Sequence, residues 1–192
     1  MIGIADTTLS ILKMHLAMDR VVILGGSSRK DGNTAIINNY LASKMDVEII
    51  DLIDYKISAY DYLFLNKEDD FIQLINNILD DYSVIIFSTP VYWYSMSGIM
   101  KNFIDRFTDL LKQEKEIGRK FRGKSMFVLS NSESNDQESY FWKPFENTAD
   151  YLGMYYIGHL HAYLENGEIN NHSLTELNSS ILRLKEYINR SS

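Results

Sequence analysis

The sequence alternates short apolar runs with longer segments in which apolar residues recur at helical spacing. Strands are predicted at residues 21–24, 47–52, 84–87, 125–129 and 154–164. Helices are predicted at residues 34–44, 71–82, 99–111, 140–152 and from Ser173 onwards, where Ser173 and Glu176 form a capping-box signature. Five strands separated by helices imply right-handed crossovers and a parallel sheet covered on both faces. The expected fold is therefore an α/β three-layer sandwich.

The 192 residues contain no Pro/Gly/Ser-rich linker, so residues 20–192 are expected to form a single domain. Residues 1–19 are interpreted as an N-terminal extension. That segment carries Asp6, Lys13 and His15 and lacks a basic start, which fits neither a secretory signal nor a membrane-spanning helix. A cytoplasmic location and no membrane partner are expected.

Charge and cysteine content exclude several classes of function. The net charge is -7, which argues against nucleic acid as a partner because affinity for a polyanion depends on neutralisation by Lys and Arg. The chain has no cysteine, so disulfides, thiolate metal sites and iron–sulfur clusters are excluded. His159 and His161 could share one strand face, but without a third ligand they are interpreted as polar residues on the exposed side of a strand, and no metal is expected.

The first loop, GGSSRKDGNT at residues 25–34, follows a strand and opens a helix. It offers the hydroxyls of Ser27 and Thr34, the guanidinium of Arg29 and the N–H groups of a helix start, which together favour a phosphate. It is neither a Walker loop nor a GxGxxG motif, so a nucleoside triphosphate and a Rossmann dinucleotide are not favoured. The alternative is a plain turn in which Asn33 or Thr34 only caps the helix.

The second loop follows the third strand and places Tyr92, Trp93 and Tyr94 together after Pro90. Pro90 is expected to end the strand. Three consecutive aromatic residues cannot all point into one core, so at least one should offer a stacking surface for a planar ligand. The alternative is that they pack on neighbouring loops or on a subunit partner. Both loops fall at strand carboxyl ends, where open α/β sheets bind ligands.

These segments resemble the flavodoxin-like NAD(P)H-dependent FMN reductases and related flavoprotein oxidoreductases. The resemblance rests on GGSSRKDGNT, on Asp69-Asp70-Phe71 at the start of the second helix, and on TPVYWYSMSGIMKNFIDRF at residues 89–107. It implies a flavodoxin-like sheet with strand order 2-1-3-4-5, bound FMN, NADH or NADPH as co-substrate, and a homodimer. The implied reaction is hydride transfer through FMN to a small acceptor such as a flavin, a quinone, an azo or a nitro compound.

The resemblance also implies roles for individual residues. The phosphate of FMN would be held by Ser27, Arg29, Asn33 and Thr34. The flavin ring would be bordered by Pro90, Val91, Tyr92 and Trp93, with Ser97 and Gly98 close by. No side chain is expected to act as a nucleophile or obligatory acid, because the cofactor supplies the chemistry.

Some segments depart from the family or stay ambiguous. Relatives with iron–sulfur clusters carry cysteines after the second strand, but this chain has none at residues 58–62. The third loop, residues 130–137, carries Glu133 and Asp136, which should make flavin reduction harder if they point at the ring. A stretch with Tyr60 and Leu65 could be core, a lid or a dimer face. Asp105 and Arg106 are interpreted as a local ion pair or a helix surface.

Three classes of function remain open from the sequence. An NAD(P)H-dependent flavin reductase or quinone-type oxidoreductase is the first. A flavodoxin-type electron carrier that depends on a partner reductase is the second, and the acidic net charge favours it. A flavin-free binding module is the third. The basic residues Arg29 and Lys30 in the phosphate loop favour the enzyme over the carrier.

Overall fold

In the computed structural model, the residues described are 21–133 and 139–191, so the predicted N-terminal extension and Asp136 lie outside the described part. The strands are β1 Val21–Gly25, β2 Glu48–Asp51, β3 Val84–Tyr92, β4 Ser95–Met96, β5 Ser125–Ser132, β6 Tyr155–Glu165 and β7 Glu168–Ile169. The helices are α1 Asn33–Met45, α2 Phe71–Asp81, α3 Gly98–Asp105, α4 Phe107–Lys112, α5 Lys115–Arg119, α6 Lys143–Leu152 and α7 Asn171–Ser191. Short 3-10 turns cover Leu52–Asp54 and Ser139–Trp142.

The strands form one seven-stranded sheet in the order β2-β1-β3-β5-β6-β7, with β4 paired to β3. Strands β2, β1, β3, β5 and β6 run parallel. Counted alone, these five strands have the predicted order 2-1-3-4-5, and the flavodoxin-like α/β fold is confirmed. The two-residue strands β4 and β7 are antiparallel additions that the sequence analysis did not predict.

Strand β3 is longer than predicted because it passes through Pro90 and ends at Tyr92. Proline cannot donate to a sheet ladder, so it is tolerated where a neighbouring strand is missing. Strand β1 pairs with β3 only as far as Ser88, whereas β5 continues beside it to Asn131, opposite Pro90. Pro90 therefore lies beyond the end of β1, and the expectation that it ends the strand is wrong.

The sheet separates two apolar cores. One core packs α2, α3, α4 and α6 against the face that includes Ile85, Phe87 and Val128. The other packs α1 and α7 against the face that includes Ile23 and Ile86. Burial of these faces supplies the main stabilisation of the sandwich, since each fully buried aliphatic side chain contributes about 1.5–3 kcal/mol. Within the described part of the chain, no helix is both long enough and apolar enough to span a membrane.

The start of the last helix differs from its predicted capping box. The N–H of Ser173 donates to the side chain of Asn170 at 2.9 Å, so Asn170 caps α7. The Ser173 hydroxyl instead accepts from the N–H of Tyr163 in β6 at 2.9 Å. The predicted Ser173–Glu176 box is wrong, because Ser173 is used to hold the helix against the sheet.

The predicted helix at residues 99–111 is divided into α3 and α4 at Arg106. Arg106 is almost fully buried, and its guanidinium contacts Asp69 and Asp109. Asp105 pairs instead with Lys101 on the surface. The interpretation of Asp105 and Arg106 as a local ion pair or helix surface is therefore wrong for Arg106.

Candidate functional site

A cleft of about 490 Å³ opens at the carboxyl ends of β1, β3 and β5. The first, second and third loops all line it, so the two predicted ligand segments meet at one crevice. Seven of the ten predicted cofactor-binding residues line the cleft, namely Ser27, Arg29, Asn33, Thr34, Pro90, Val91 and Tyr92. The remaining three, Trp93, Ser97 and Gly98, lie outside its lining. The third loop adds Asn131, Ser132 and Glu133.

The first loop leaves the start of α1 open toward the cleft. The residue before the helix is Gly32, which has an extended backbone and makes no side-chain hydrogen bond to the first turn. Asn33 and Thr34 lie inside the helix, so the alternative in which one of them caps it is wrong. The first N–H groups of a helix lack partners within the helix, and such groups bind anions. The loop itself is shaped by the N–H of Arg29, which donates to the Ser27 hydroxyl at 3.2 Å.

Two buried hydrogen bonds fix α1 against the strand ends. The Thr34 hydroxyl donates to the side-chain oxygen of Asn131 in β5 at 2.8 Å. The Ser88 hydroxyl in β3 donates to the side-chain oxygen of Asn38 at 2.5 Å. These contacts hold the first turn of α1 at a set position relative to the second and third loops. Asn131 was not among the predicted site residues, although it lies in the polar third loop at residues 130–137.

The second loop is a tight hairpin between β3 and β4. Val91 pairs with Met96 and Tyr92 pairs with Ser95, so Trp93 and Tyr94 form a two-residue turn. Both turn residues have positive φ, 49° for Trp93 and 63° for Tyr94. Two-residue hairpin turns of type I′ require positive φ at both positions. Aromatic residues adopt positive φ only at a cost in backbone energy. Trp93 is 93% exposed at the tip, whereas Tyr92 is 47% exposed and lines the cleft.

Ser97 joins the second loop to the first. It is buried and caps α3 by accepting from the N–H of Met100 at 3.0 Å. Its hydroxyl donates to the carbonyl oxygen of Gly26, and its own N–H donates to the Thr89 hydroxyl at 3.0 Å. A Cβ atom at Gly26 would lie 2.9 Å from the Cβ of Met100, so only glycine permits this approach. The hydrogen bonds of Ser97 thus connect the first loop to the second. Gly98, the first residue of α3, is exposed.

Charged groups of both signs border the cleft. Arg29 is exposed on the first loop, and its Nε lies 3.5 Å from the carboxylate of Asp31. Its neighbour Lys30 forms an ion pair with Asp54, and the hydrogen bond that Lys30 donates to the Asp54 carboxylate raises the pKa of Lys30. Glu133 is exposed on the third loop. Arg29 is therefore the cation that faces the cleft from the first loop, while Glu133 brings a negative charge from the third.

The two histidines of β6 have different surroundings. His159 stacks on Trp142 with ring centroids 4.2 Å apart. His161 is half-buried and contacts the hydroxyls of Ser130 and Ser132. The interpretation of both as polar residues on an exposed strand side is therefore wrong for His161. Among residues 21–133 and 139–191, no group of three or more His, Asp or Glu side chains is placed to hold a metal ion.

The residues of the cleft fit FMN in their chemistry. The uncapped turn of α1, with Arg29 beside it, matches a dianionic phosphate. Pro90, Val91 and Tyr92 offer apolar and aromatic surface for a planar ring system. The polar side chains of Asn131 and Ser132 add hydrogen-bonding groups on the third loop.

Comparisons with known proteins agree with this geometry. Over 151 residues the chain is 27% identical to YwqN of Bacillus subtilis (strain 168), a protein named as an NAD(P)H-dependent FMN-containing oxidoreductase, covering 73% of this chain and 83% of YwqN. It is 24% identical to the NADPH azoreductase of Bacillus sp. (strain OY1-2) over 86 residues, which are 45% of this chain and 48% of that one.

The fold is also that of a solved structure, the Trp repressor binding protein from Bacillus subtilis. The TM-score is 0.66 at 22% identity, with 84% of this chain and 95% of that chain covered. At this identity the likeness shows the fold alone. Residues 20–168 match the family described as NADPH-dependent FMN reductase. The chain therefore belongs to the NADPH-dependent FMN reductase family, as an oxidoreductase with FMN as cofactor and NADH or NADPH as co-substrate.

Proposed function

We propose that the protein accepts a hydride from NADH or NADPH on FMN held in the cleft and passes the electrons to a small acceptor. The acceptor classes we propose are a free flavin, a quinone, an azo compound or a nitro compound. The observation that carries this proposal is the meeting of an uncapped helix start and an aromatic hairpin at one cleft of about 490 Å³. FMN supplies the redox chemistry when bound, so the chain's task is to bind and orient.

The residues of the first loop bind the phosphate in this proposal. Arg29 supplies the charge, and Asn33 and Thr34 supply N–H groups of the first turn of α1. Ser27 shapes the loop by accepting from the Arg29 N–H. Because the Thr34 hydroxyl already donates a hydrogen bond to Asn131, Thr34 contributes its backbone N–H to the phosphate rather than its side chain.

The residues of the second loop border the ring in this proposal. Pro90, Val91 and Tyr92 line the cleft directly. Trp93 projects from the hairpin tip, so it borders the ring from the outer side, where the second substrate enters. Ser97 and Gly98 act by positioning the hairpin and α3, since the Ser97 hydroxyl is used within the protein.

The acceptor is a planar molecule small enough to approach an open cleft. Tyr92 in the cleft lining is exposed, as are Trp93 and Tyr94 in the adjoining hairpin turn, and these aromatic side chains favour such a partner. The similarity to an azoreductase over 86 residues supports azo compounds as members of the proposed set.

We also propose that the protein acts as a homodimer. Support comes from an exposed apolar stretch at Tyr62, Leu63 and Leu65, which are 83%, 73% and 72% exposed. Large apolar side chains grouped on one loop are typical of contact surfaces. The mass of the FMN-loaded protein, measured by light scattering after size exclusion, tests this.

Anaerobic mixing of the FMN-loaded protein with NADH or NADPH tests the proposed reaction. We expect the absorbance of oxidised flavin to be lost with at least one of the two nicotinamides, and to return when a quinone or azo compound is added. FMN binding without bleaching by either nicotinamide would support the electron-carrier alternative. A protein that fails to bind FMN in a fluorescence titration would support the flavin-free alternative.

A further inference from the structure

A second pocket, of about 190 Å³, lies at the opposite edge of the sheet from the cleft. Its walls come from α4, from α5 and the turn that leads into β5, and from the end of α6, which leads into β6. Because β5 and β6 run parallel, these walls lie at the amino ends of both strands. The cofactor cleft lies at the carboxyl end of β5. The pocket is therefore a separate place in the fold.

The charged residues that line this pocket are all cations, namely Lys115, Arg119 and Arg122. The whole chain has a net charge of -7, so this lining is opposite in sign to the protein that carries it. Arg119 pairs with Glu116, a carboxylate that is 85% exposed. Across the part of the chain that the structure describes, the side chains of Lys115 and Arg122 make no hydrogen bond or ion pair. Two cations are thus available to an anion.

The backbone at Arg122 is held by hydrogen bonds on both sides of the pocket. The N–H of Gly123 donates to the carbonyl oxygen of Gly153 at 2.9 Å, and the N–H of Arg122 donates to the carbonyl oxygen of Arg119 at 3.2 Å. A Cβ atom at Gly153 would lie 3.3 Å from the Cγ of Arg122, so the stem of Arg122 packs closely on the end of α6. A cation on a stem positioned in this way loses less freedom when it binds a ligand.

The rest of the lining is apolar or aromatic. Leu110 and Leu152 are 0% and 7% exposed and form the inner wall, whereas Tyr151 is 77% exposed and lies at the mouth. An apolar cavity of about 150 Å³ holds a benzene molecule, so a pocket of about 190 Å³ has room for one six-membered ring. The pocket therefore combines a surface for an apolar body with cations for a charged group.

We propose that this pocket binds a small organic acid, a carboxylate carried on an apolar body about the size of a benzene ring. The planar guanidinium of Arg122 matches a carboxylate with two parallel hydrogen bonds, and Lys115 adds a second positive charge. The apolar body packs against Leu152 and Tyr151. This inference goes beyond the proposed function, since it involves neither FMN nor a nicotinamide. Because the pocket is open to solvent, we expect a dissociation constant of about 1–10 mM for such a ligand.

The test is a titration of the isotope-labelled, FMN-loaded protein with sodium benzoate, followed by the NMR shifts of backbone amides. The signals of Gly118 and Gly153 at the pocket should move and saturate, whereas that of Gly32 in the first loop should not. Benzyl alcohol keeps the ring without the charge, and acetate keeps the charge without the ring, so each should bind at least about tenfold more weakly. Ionic strength is held low and constant, because salt screens exposed charges. The same titration without FMN should give the same affinity at the pocket.

Three variants assign the binding to the pocket. Arg122→Gln should weaken benzoate binding by about tenfold, since it removes a charged hydrogen-bond donor. Glu116→Gln should strengthen it by about two- to threefold, because it releases Arg119 from a surface pair that contributes little to stability. Lys112→Gln is the matched control, since Lys112 is an exposed cation at the end of α4 that does not line the pocket. It should change the affinity by less than about twofold.

Equal benzoate affinity of the parent and Arg122→Gln overturns the proposal, as does the absence of saturable shifts at Gly118 and Gly153 in the parent. Acetate that binds as tightly as benzoate overturns it too, because the pocket would then hold any anion. A loss of affinity in Lys112→Gln as large as that in Arg122→Gln would assign the effect to general surface charge and also overturns it. None of these measurements depends on nicotinamide oxidation, so each of these results leaves the proposed reaction unaffected.

Discussion

Arg106 and Asp69 form an ion pair whose side chains are only 1% and 3% exposed. The same guanidinium donates to Asp109 at 2.7 Å and to the carbonyl oxygen of Ser58 at 3.0 Å. Two of the segments that carry the family resemblance, Asp69-Asp70-Phe71 and the end of TPVYWYSMSGIMKNFIDRF, therefore meet at one buried contact. The pair fastens the long connection after β2 to the junction of α3 and α4.

Replacement of Arg106 by Met should destabilise the protein strongly. The change leaves two buried carboxylates without their cation, and breaking a buried ion pair in this way costs about 3–5 kcal/mol. Urea unfolding monitored by circular dichroism measures the loss. Arg190→Met is the control, because Arg190 pairs with Glu186 on the surface at 3.9 Å and should change stability by less than about 0.5 kcal/mol. Equal effects of the two substitutions would contradict the buried role of Arg106.

Asp69 should make stability depend on pH in the acidic range. Burial by itself would raise the pKa of Asp69, but hydrogen bonds from Arg106 and from the N–H groups of Ser58 and Phe71 outweigh it and hold the pKa below its ordinary value of 3.8. A pKa lowered in the folded state stabilises the protein above the unfolded-state pKa, and this contribution is lost as the pH falls through the folded-state pKa. Asp69→Asn should therefore be clearly less stable than the parent at about pH 6, with a gap that narrows toward about pH 3. A gap that stays constant across these pH values would show that Asp69 contributes through shape rather than charge.

Arg29→Ala should weaken FMN binding by about tenfold, because a hydrogen bond to a charged group contributes about 1.5–3 kcal/mol. Riboflavin, which has no phosphate, should bind the variant and the parent equally. Fluorescence titration with both ligands measures the difference. Lys30→Ala is the matched control, since Lys30 is the next cation in the loop but pairs with Asp54 and does not line the cleft. If FMN and riboflavin lose affinity together, Arg29 does not contact the phosphate.

The parts of the fold that could be predicted from the sequence are those that depend on the local spacing of apolar residues. The apolar run at residues 84–87 has the length of a buried parallel strand, and loops at the carboxyl ends of parallel strands share one edge of the sheet. The burial of Arg106 could not be predicted in this way. Its partners Ser58 and Asp69 are 48 and 37 residues away, and nothing in the helical pattern distinguishes a surface arginine from one that a distant loop covers.

The two short hairpins also differ in whether their local sequence indicates the turn. The turn between β6 and β7 is Asn166-Gly167, with φ of 53° and 81°. Asn-Gly between strands is a strong hairpin signal, although this hairpin was not predicted. The turn between β3 and β4 has the same positive φ angles at Trp93 and Tyr94, and its residue types give no such signal. Here the pairing of β4 with the end of β3 overrides local preference. Strain of this kind often accompanies functional loops.

Replacement of Trp93-Tyr94 by Asn-Gly should therefore stabilise the protein by about 1–2 kcal/mol, since it removes the cost of two aromatic residues at positive φ. Urea unfolding measures the gain. The reverse exchange at the other hairpin, Asn166-Gly167 to Trp-Tyr, should lower stability by a similar amount. A loss of stability in the Asn-Gly variant at residues 93 and 94 would mean that the aromatic side chains contribute packing that exceeds the backbone cost.

Glu133→Gln should raise the midpoint potential of bound FMN. Glu133 lines the cleft, and its negative charge disfavours added electron density on a nearby cofactor. Because Glu133 is exposed, screening limits the expected shift to about 10–20 mV for the two-electron couple. Glu114→Gln, which removes an exposed carboxylate that does not line the cleft, is the control and should leave the potential unchanged. The shift should shrink in high salt, since surface charges act through the solvent. A potential that does not respond to Glu133→Gln at low salt would place this carboxylate away from the ring and leave the third loop to act through Asn131 and Ser132.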